Sequence, residues 1–104
     1  MATLNPYLIF NGDGREAMEF YHRCLGGNLK VDTFGSGNLD VPANLKDRVL
    51  HAELKADGIL LMCSDSMPDN PSKFGDNVSL SLSFTDAKEQ EKIFNDLAHG
   101  GKVV

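Results

Sequence analysis

Tryptophan is absent from this sequence and cysteine occurs only twice, at Cys24 and Cys63. Two cysteines lying inside apolar patterns exclude a disulfide-stapled scaffold and read as buried thiols. Positive charge is also scarce. Ten Lys and Arg stand against fifteen Asp and Glu, a formal net charge of -5, the wrong sign for neutralising nucleic acid phosphates or anionic lipid. Neither nucleic acid nor membrane is therefore expected as a partner. No apolar run approaches the roughly 18 residues of a membrane helix, and no basic leader precedes the first apolar stretch, so a cytoplasmic location is expected. With 104 residues, 41% of them hydrophobic, the chain can bury one modest core.

What is present is ordered. Leu4 to Phe10 reads as a strand closed by Asn11-Gly12. Asp13 and Glu16 form a capping-box pattern that opens a helix running to about Leu25. Ala17, Phe20, Tyr21 and Cys24 make its inward stripe, and Gly26-Gly27 supplies the stop. A strand follows over 28–34, then a Gly-, Asn- and Pro-containing loop over 35–47. Two further strands, 48–56 and 59–64, flank Asp57-Gly58, a two-residue hairpin signal in which both positions are expected to be left-handed. Residues 65–76 have linker composition. Val78 to Phe84 alternates strictly, with Val78, Leu80, Leu82 and Phe84 on one face and Ser79, Ser81 and Ser83 on the other.

The opening phrase then returns. Asp86 with Glu89 repeats the cap, Ile93, Phe94 and Leu97 repeat the stripe, Gly100-Gly101 repeats the stop, and Lys102-Val103-Val104 begins a strand. The fold class expected is α+β, with paired βαβββ modules: a first module over 1–64, a linker over 65–76, and an incomplete second module over 77–104. Apolar strand residues at the end of a chain leave an exposed pairing edge. The expectation is that the chain is truncated relative to its gene or that a second copy covers that edge.

This tandem plan, with Leu4-Asn5-Pro6-Tyr7-Leu8, Glu16-Ala17-Met18-Glu19-Phe20-Tyr21, His51-Ala52-Glu53-Leu54 and Leu61-Met62-Cys63-Ser64-Asp65, resembles the PhnB-like branch of the glyoxalase and bleomycin-resistance group, the vicinal oxygen chelate superfamily. The resemblance implies a cup-shaped sheet formed by two modules around a small-molecule ligand, and pairing of two chains as a homodimer. It also implies that metal-holding members take His or carboxylate ligands from the first and last strands of each module. Here Pro6, Met62 and Ser79 fall at three of those positions, and the fourth lies beyond Val104. A proline ring, a thioether and a neutral hydroxyl are poor donors for a divalent ion. No metal is expected at that place, and no cofactor.

Several side chains are candidates for chemistry. Ser79 and Ser81 share the polar face of their strand, either the inside of a cup or an ordinary solvated face. On 48–56, Leu50, Ala52 and Leu54 are expected to face the helices, leaving Val49, His51, Glu53 and Lys55 on the other side. His51 and Glu53 then project together, as a general acid and base, as a metal pair in an atypical place, or as a plain polar contact. Tyr7 offers a phenol to a ligand or packs in the core, and Met62 is a further candidate for ligand contact. His22 and His99 lie at helix exteriors or ends. Gly35-Ser36-Gly37-Asn38 follows a strand without opening a helix, so it lacks the context of a phosphate cradle.

Two functions remain open beside a bare interaction module, for which the scattered charge marks no surface. The first is a small-molecule binder without a metal at the superfamily's usual site. The second is an enzyme of the vicinal oxygen chelate type, a lyase, dioxygenase or transferase using His51 and Glu53. Names applied to relatives suggest methyl transfer to a quinone precursor, yet no strand-linked glycine-rich loop that would hold a nucleotide-like methyl donor is evident.

Overall fold

The computed structural model describes residues 2–36 and 41–103. Gly37 and Asn38 of the glycine-containing loop, and Val104 of the final strand signal, lie outside the described residues. The chain divides into two compact units, Met1–Ser72 and Lys73–Val104.

The first unit runs β1 (Tyr7–Phe10), α1 (Gly14–Leu25), β2 (Asn28–Thr33), β3 (Val49–Ala56) and β4 (Ile59–Asp65), with two short 3-10 turns between β2 and β3. Its sheet is mixed, in the order β1-β4-β3-β2. β1 joins β4 in parallel, while β2 with β3 and β3 with β4 are antiparallel. Alternation puts Leu8, Phe10, Leu29, Val31, Ala52, Leu54, Leu61 and Cys63 on the face that receives Met18, Tyr21 and Leu25 of α1. Met18 is fully buried, whereas Phe20 is half-exposed. The inward stripe is thus rotated from the expected one: a thioether fills the centre and the Phe20 ring turns edge-on to Tyr21 at 5.9 Å.

Three local expectations are corrected. The carboxylate of Asp13 makes no capping bond. Instead Asp65 reaches across from the end of β4, and its Oδ1 accepts from the N–H groups of Gly12 and Gly14, each at 3.0 Å. A second correction concerns β3. Asp32 pairs with His51 but Thr33 pairs with Val49, so Leu50 is an extra residue, a β-bulge. Alternation restarts there: Val49 is fully buried and Leu50 is 36% exposed, the reverse of the faces expected. Third, the hairpin between Ala56 and Ile59 forms, but only Gly58 is left-handed, at φ 71°. The helix stop behaves as its residues predict. Gly26 and Gly27 have φ of 73° and 85°, and a Cβ on Gly27 would stand 2.3 Å from the Lys55 carbonyl oxygen.

The second unit contains α2 (Ala87–Ala98), capped by the Asp86 carboxylate accepting from the Lys88 N–H at 3.0 Å. Ile93 is its buried residue. Gly100 is left-handed at φ 75°. Among the described residues, 78–84 pairs with no strand, and neither do Lys102 and Val103. The alternating pattern is present, but a strand exists only through a hydrogen-bonded neighbour. Val78 is 79% exposed.

Candidate functional site

The face of the first unit's sheet opposite α1 is open. It carries Lys30 and Asp32 from β2, His51, Glu53 and Lys55 from β3, Met62 and Ser64 from β4, and Tyr7 and Ile9 from β1. The bulge at Leu50 matters here. By absorbing one residue it keeps Val49 in the core while His51 and Glu53 stay on the open face.

Four of the residues expected to form a site come together on this face. Met62 is the register partner of Tyr7 on one side and of Glu53 on the other, so the three form a row across β1, β4 and β3. His51 links its ends. Its Nε2 lies 3.0 Å from Glu53 Oε1 and its Nδ1 lies 3.2 Å from the Tyr7 hydroxyl. The imidazole and phenol ring centres are 5.7 Å apart, tilted by 36°.

An ionised carboxylate only accepts, so Nε2 donates to Glu53 Oε1. At Nδ1 the role follows the protonation of the ring: neutral, it accepts from the Tyr7 O–H; protonated, it donates to the phenol oxygen. In either state Tyr7, His51 and Glu53 form one line, with the phenol at the outer end. The hydrogen bond from His51 is the chief reason that the Glu53 carboxyl is held below its ordinary value of 4.5. Partial desolvation opposes this, and the charges of His51, Lys30 and Lys55 reinforce it. The opposite face is inert: burial, aided by the charge of Asp65, pushes the Cys63 thiol up to about 11. Cys24 is also buried, and the two thiols form no disulfide.

Ser79 and Ser81 belong to the second unit, where both are exposed. Pro6, just before β1, and Met62 of β4, two of the positions that the superfamily resemblance marks for metal ligands, are neighbours, the Met62 N–H donating to the Pro6 carbonyl at 3.2 Å. Their side chains do not fit a divalent ion. Among the described residues there is no group of three or more His, Cys, Asp and Glu arranged to hold a metal.

Asp65 falls in the segment whose composition reads as a linker, yet it is the last residue of β4. It is 5% exposed, and besides Gly12 and Gly14 it accepts at Oδ2 from the Val49 N–H at 2.8 Å. The missed signal was parity, since Leu61, Cys63 and Asp65 share one strand face, which made a carboxylate at the third position a buried one.

Comparison with known proteins agrees with this architecture. Residues 2–103 match the protein family described as 3-demethylubiquinone-9 3-methyltransferase. The chain belongs to that family. It is similar to protein YjdN of Escherichia coli (strain K12), 28% identical over 115 aligned residues that take in 96% of this chain and 75% of YjdN. The crystal structure of protein PA1353 from Pseudomonas aeruginosa superposes on it with a TM-score of 0.86 at 41% identity, covering 100% of this chain and 77% of that one. A Bacillus cereus PhnB protein, described as a putative 3-demethylubiquinone-9 3-methyltransferase, shares the fold at a TM-score of 0.69 and 24% identity, covering 93% and 74% of the two chains. The small α+β architecture, a four-stranded mixed sheet with two helices, is that of a PhnB-like protein. Among the described residues no helix is long and apolar enough to cross a membrane.

Proposed function

We propose that this chain binds a small molecule against the open sheet face of its first unit, without a metal at the place where metal-holding vicinal oxygen chelate proteins have one. The observation that carries the reading is the hydrogen-bonded row of Tyr7, His51 and Glu53 beside the thioether of Met62. A polar line with one free end next to a soft apolar surface suits a ligand that is partly apolar and carries one hydrogen-bonding group. In this reading α2 and the alternating segment 78–84 begin a second βαβββ module with Ser79 and Ser81 on its ligand-binding polar face, and two copies of the chain pair as a homodimer.

The family description points to methyl transfer, and one feature of the structure speaks against a nucleotide-like methyl donor at the first strand-to-helix turn. Gly12 and Gly14 stand between β1 and α1, where a glycine-rich cradle would present free N–H groups to an anion. Both N–H groups are already bonded to Asp65. These residues do not fit such a group.

Binding of a hydrophobic fluorescent dye, with metal analysis of protein purified without chelators, tests the proposal. Saturable dye binding, weakened in Tyr7→Phe, His51→Ala and Met62→Ala, with no stoichiometric metal, is the expected result. Dye binding unchanged in all three variants, or one metal per chain lost in His51→Ala, overturns it.

A second reading has its own observation. The 3.0 Å contact of His51 with Glu53 is the arrangement of a histidine general base oriented by a carboxylate. An enzyme of the vicinal oxygen chelate type would use it to take a proton from the ligand through Tyr7. Recovery of a bound ligand chemically unchanged favours the binder; conversion that is lost in Glu53→Gln favours the enzyme.

A further inference from the structure

The hydroxyl at the outer end of the Tyr7, His51 and Glu53 line has one proton to give and lone pairs with which to accept. Tyr7 is 45% exposed, so its oxygen is within reach of a ligand on the open sheet face. Whether that ligand meets the proton or the lone pairs is decided by the other partner of the oxygen, His51 Nδ1 at 3.2 Å.

The two charge states of the imidazole give opposite answers. Nε2 keeps its proton in both, because Glu53 Oε1 accepts it at 3.0 Å. The Glu53 carboxyl, held below 4.5, stays ionised over the range in which histidines change charge, between about pH 5 and 8. In the neutral ring Nδ1 is a bare lone pair, so Tyr7 spends its proton there and shows a ligand lone pairs. In the protonated ring the Nδ1 N–H donates to the phenol oxygen, and the Tyr7 proton is free to turn towards the ligand. Only rotation about the C–O bond is needed. The other charged groups on this face are Asp32, the register partner of His51, Lys30, the register partner of Glu53, and Lys55. From β1 comes Tyr7 itself, and from β4 the uncharged Met62 and Ser64.

We propose that His51 sets the hydrogen-bonding sense of the site. With a neutral ring the site selects ligands that present a donor to Tyr7, a hydroxyl or an N–H group; with a protonated ring it selects ligands that present an acceptor, a carbonyl oxygen. His51 is thereby a positioning residue that acts through Tyr7. This specificity rests on the binding function proposed above and adds to it the class of polar group that the ligand carries.

Two uncharged probes of similar size test the assignment: indole, whose N–H only donates, and acetophenone, whose carbonyl only accepts. Their affinities for the full chain are read from amide shifts about one pH unit below and above the His51 ring midpoint, itself measured by ¹⁵N shifts. Indole should bind about three-fold tighter at the higher pH and acetophenone about three-fold tighter at the lower, the scale of one hydrogen bond. Tyr7→Phe and His51→Gln should each abolish both dependences. Affinities that change in the same direction for the two probes or stay constant, or an opposed dependence that survives in either variant, overturn the proposal. A measurement without ligand separates its failure from that of the binding function. The Tyr7 Cζ ¹³C shift should titrate with the midpoint of the His51 ring and lose that titration in His51→Gln; a shift indifferent to the ring overturns the reversal. Absence of saturable binding of either probe, with the Tyr7 shift still following His51, would instead sink the binding function at this face and with it the selection of ligands.

Discussion

Asp65 Oδ1 accepts the Gly14 N–H at 3.0 Å across 51 residues of chain, and so performs the task for which Asp13, the immediate neighbour of Gly14, is placed by sequence. One buried carboxylate ties the end of β4 to the start of α1 and, through Oδ2, to the start of β3. Replacing it by alanine leaves three N–H groups without their acceptor inside the protein. Asp65→Ala should lower stability by about 3 kcal/mol, read from urea denaturation, while Asp13→Ala should shift the midpoint little. Comparable losses in the two variants would place the cap back on Asp13. Gly14→Ala should also destabilise, because its Cβ would lie 2.8 Å from Asp65 Oδ1.

Met18 is fully buried at the centre of the first unit's core. Met18→Ala removes the side chain that fills the space between α1 and the sheet, at a cost of about 3 kcal/mol. Phe20→Ala, at a half-exposed position, should cost clearly less. A reversed order in urea melts would mean that the helix is seated with the stripe that its sequence first indicates.

The Glu53 carboxyl should titrate below 4.5, and His51→Ala should bring it back towards that value. Carboxyl ¹³C shifts followed against pH measure both. The sign for stability follows: a carboxyl whose folded-state value is depressed contributes stability above its ordinary value, and that contribution is lost as pH falls through the folded-state value. The loss therefore belongs to the acid side of 4.5, and it should be absent in Glu53→Gln.

Tyr7→Phe removes the hydroxyl that meets His51 Nδ1 and leaves the ring. Because Tyr7 is 45% exposed, the effect on stability should stay within about 0.5 kcal/mol. The imidazole ¹⁵N shifts of His51 should change at Nδ1 and not at Nε2. Identical spectra for the variant and the parent chain would show that the phenol is not bonded to the ring.

Cys63 should be unreactive towards a thiol reagent at pH 8 in the folded chain and react at once in urea, since burial and the charge of Asp65 hold its thiol at about 11. Rapid modification without denaturant would contradict the burial of that face.

Much of this was legible in the residues, and the parts that were not have identifiable causes. His51 and Glu53 could be placed on one face from strand parity alone, because parity is a local property, whereas their sharing that face with Tyr7 and Met62 depends on the pairing of β1 and β3 with β4. The glycine stop at Gly26-Gly27 and the cap by Asp86 were likewise local. What escaped depended on distant partners. The Leu50 bulge is defined only by where Thr33 pairs, and the Asp65 cap only by how β4 ends beside α1. The Tyr7 to His51 bond spans 44 residues, and no spacing rule announces it. Segment 78–84 shows the converse, a strand pattern whose pairing cannot be supplied by the pattern itself.

The bulge at Leu50 also governs where the chain tolerates a change of length. Removing Leu50 would let Thr33 opposite Val49 follow Asp32 opposite His51 in an unbroken ladder, with Val49 still inward and His51 still outward. Removing any one residue between Ala52 and Ala56 would instead turn the remainder of the strand over, sending Leu54 to solvent or Lys55 into the core. Deletions that spare the site and deletions that abolish the fold thus lie within a few positions of each other on the same strand.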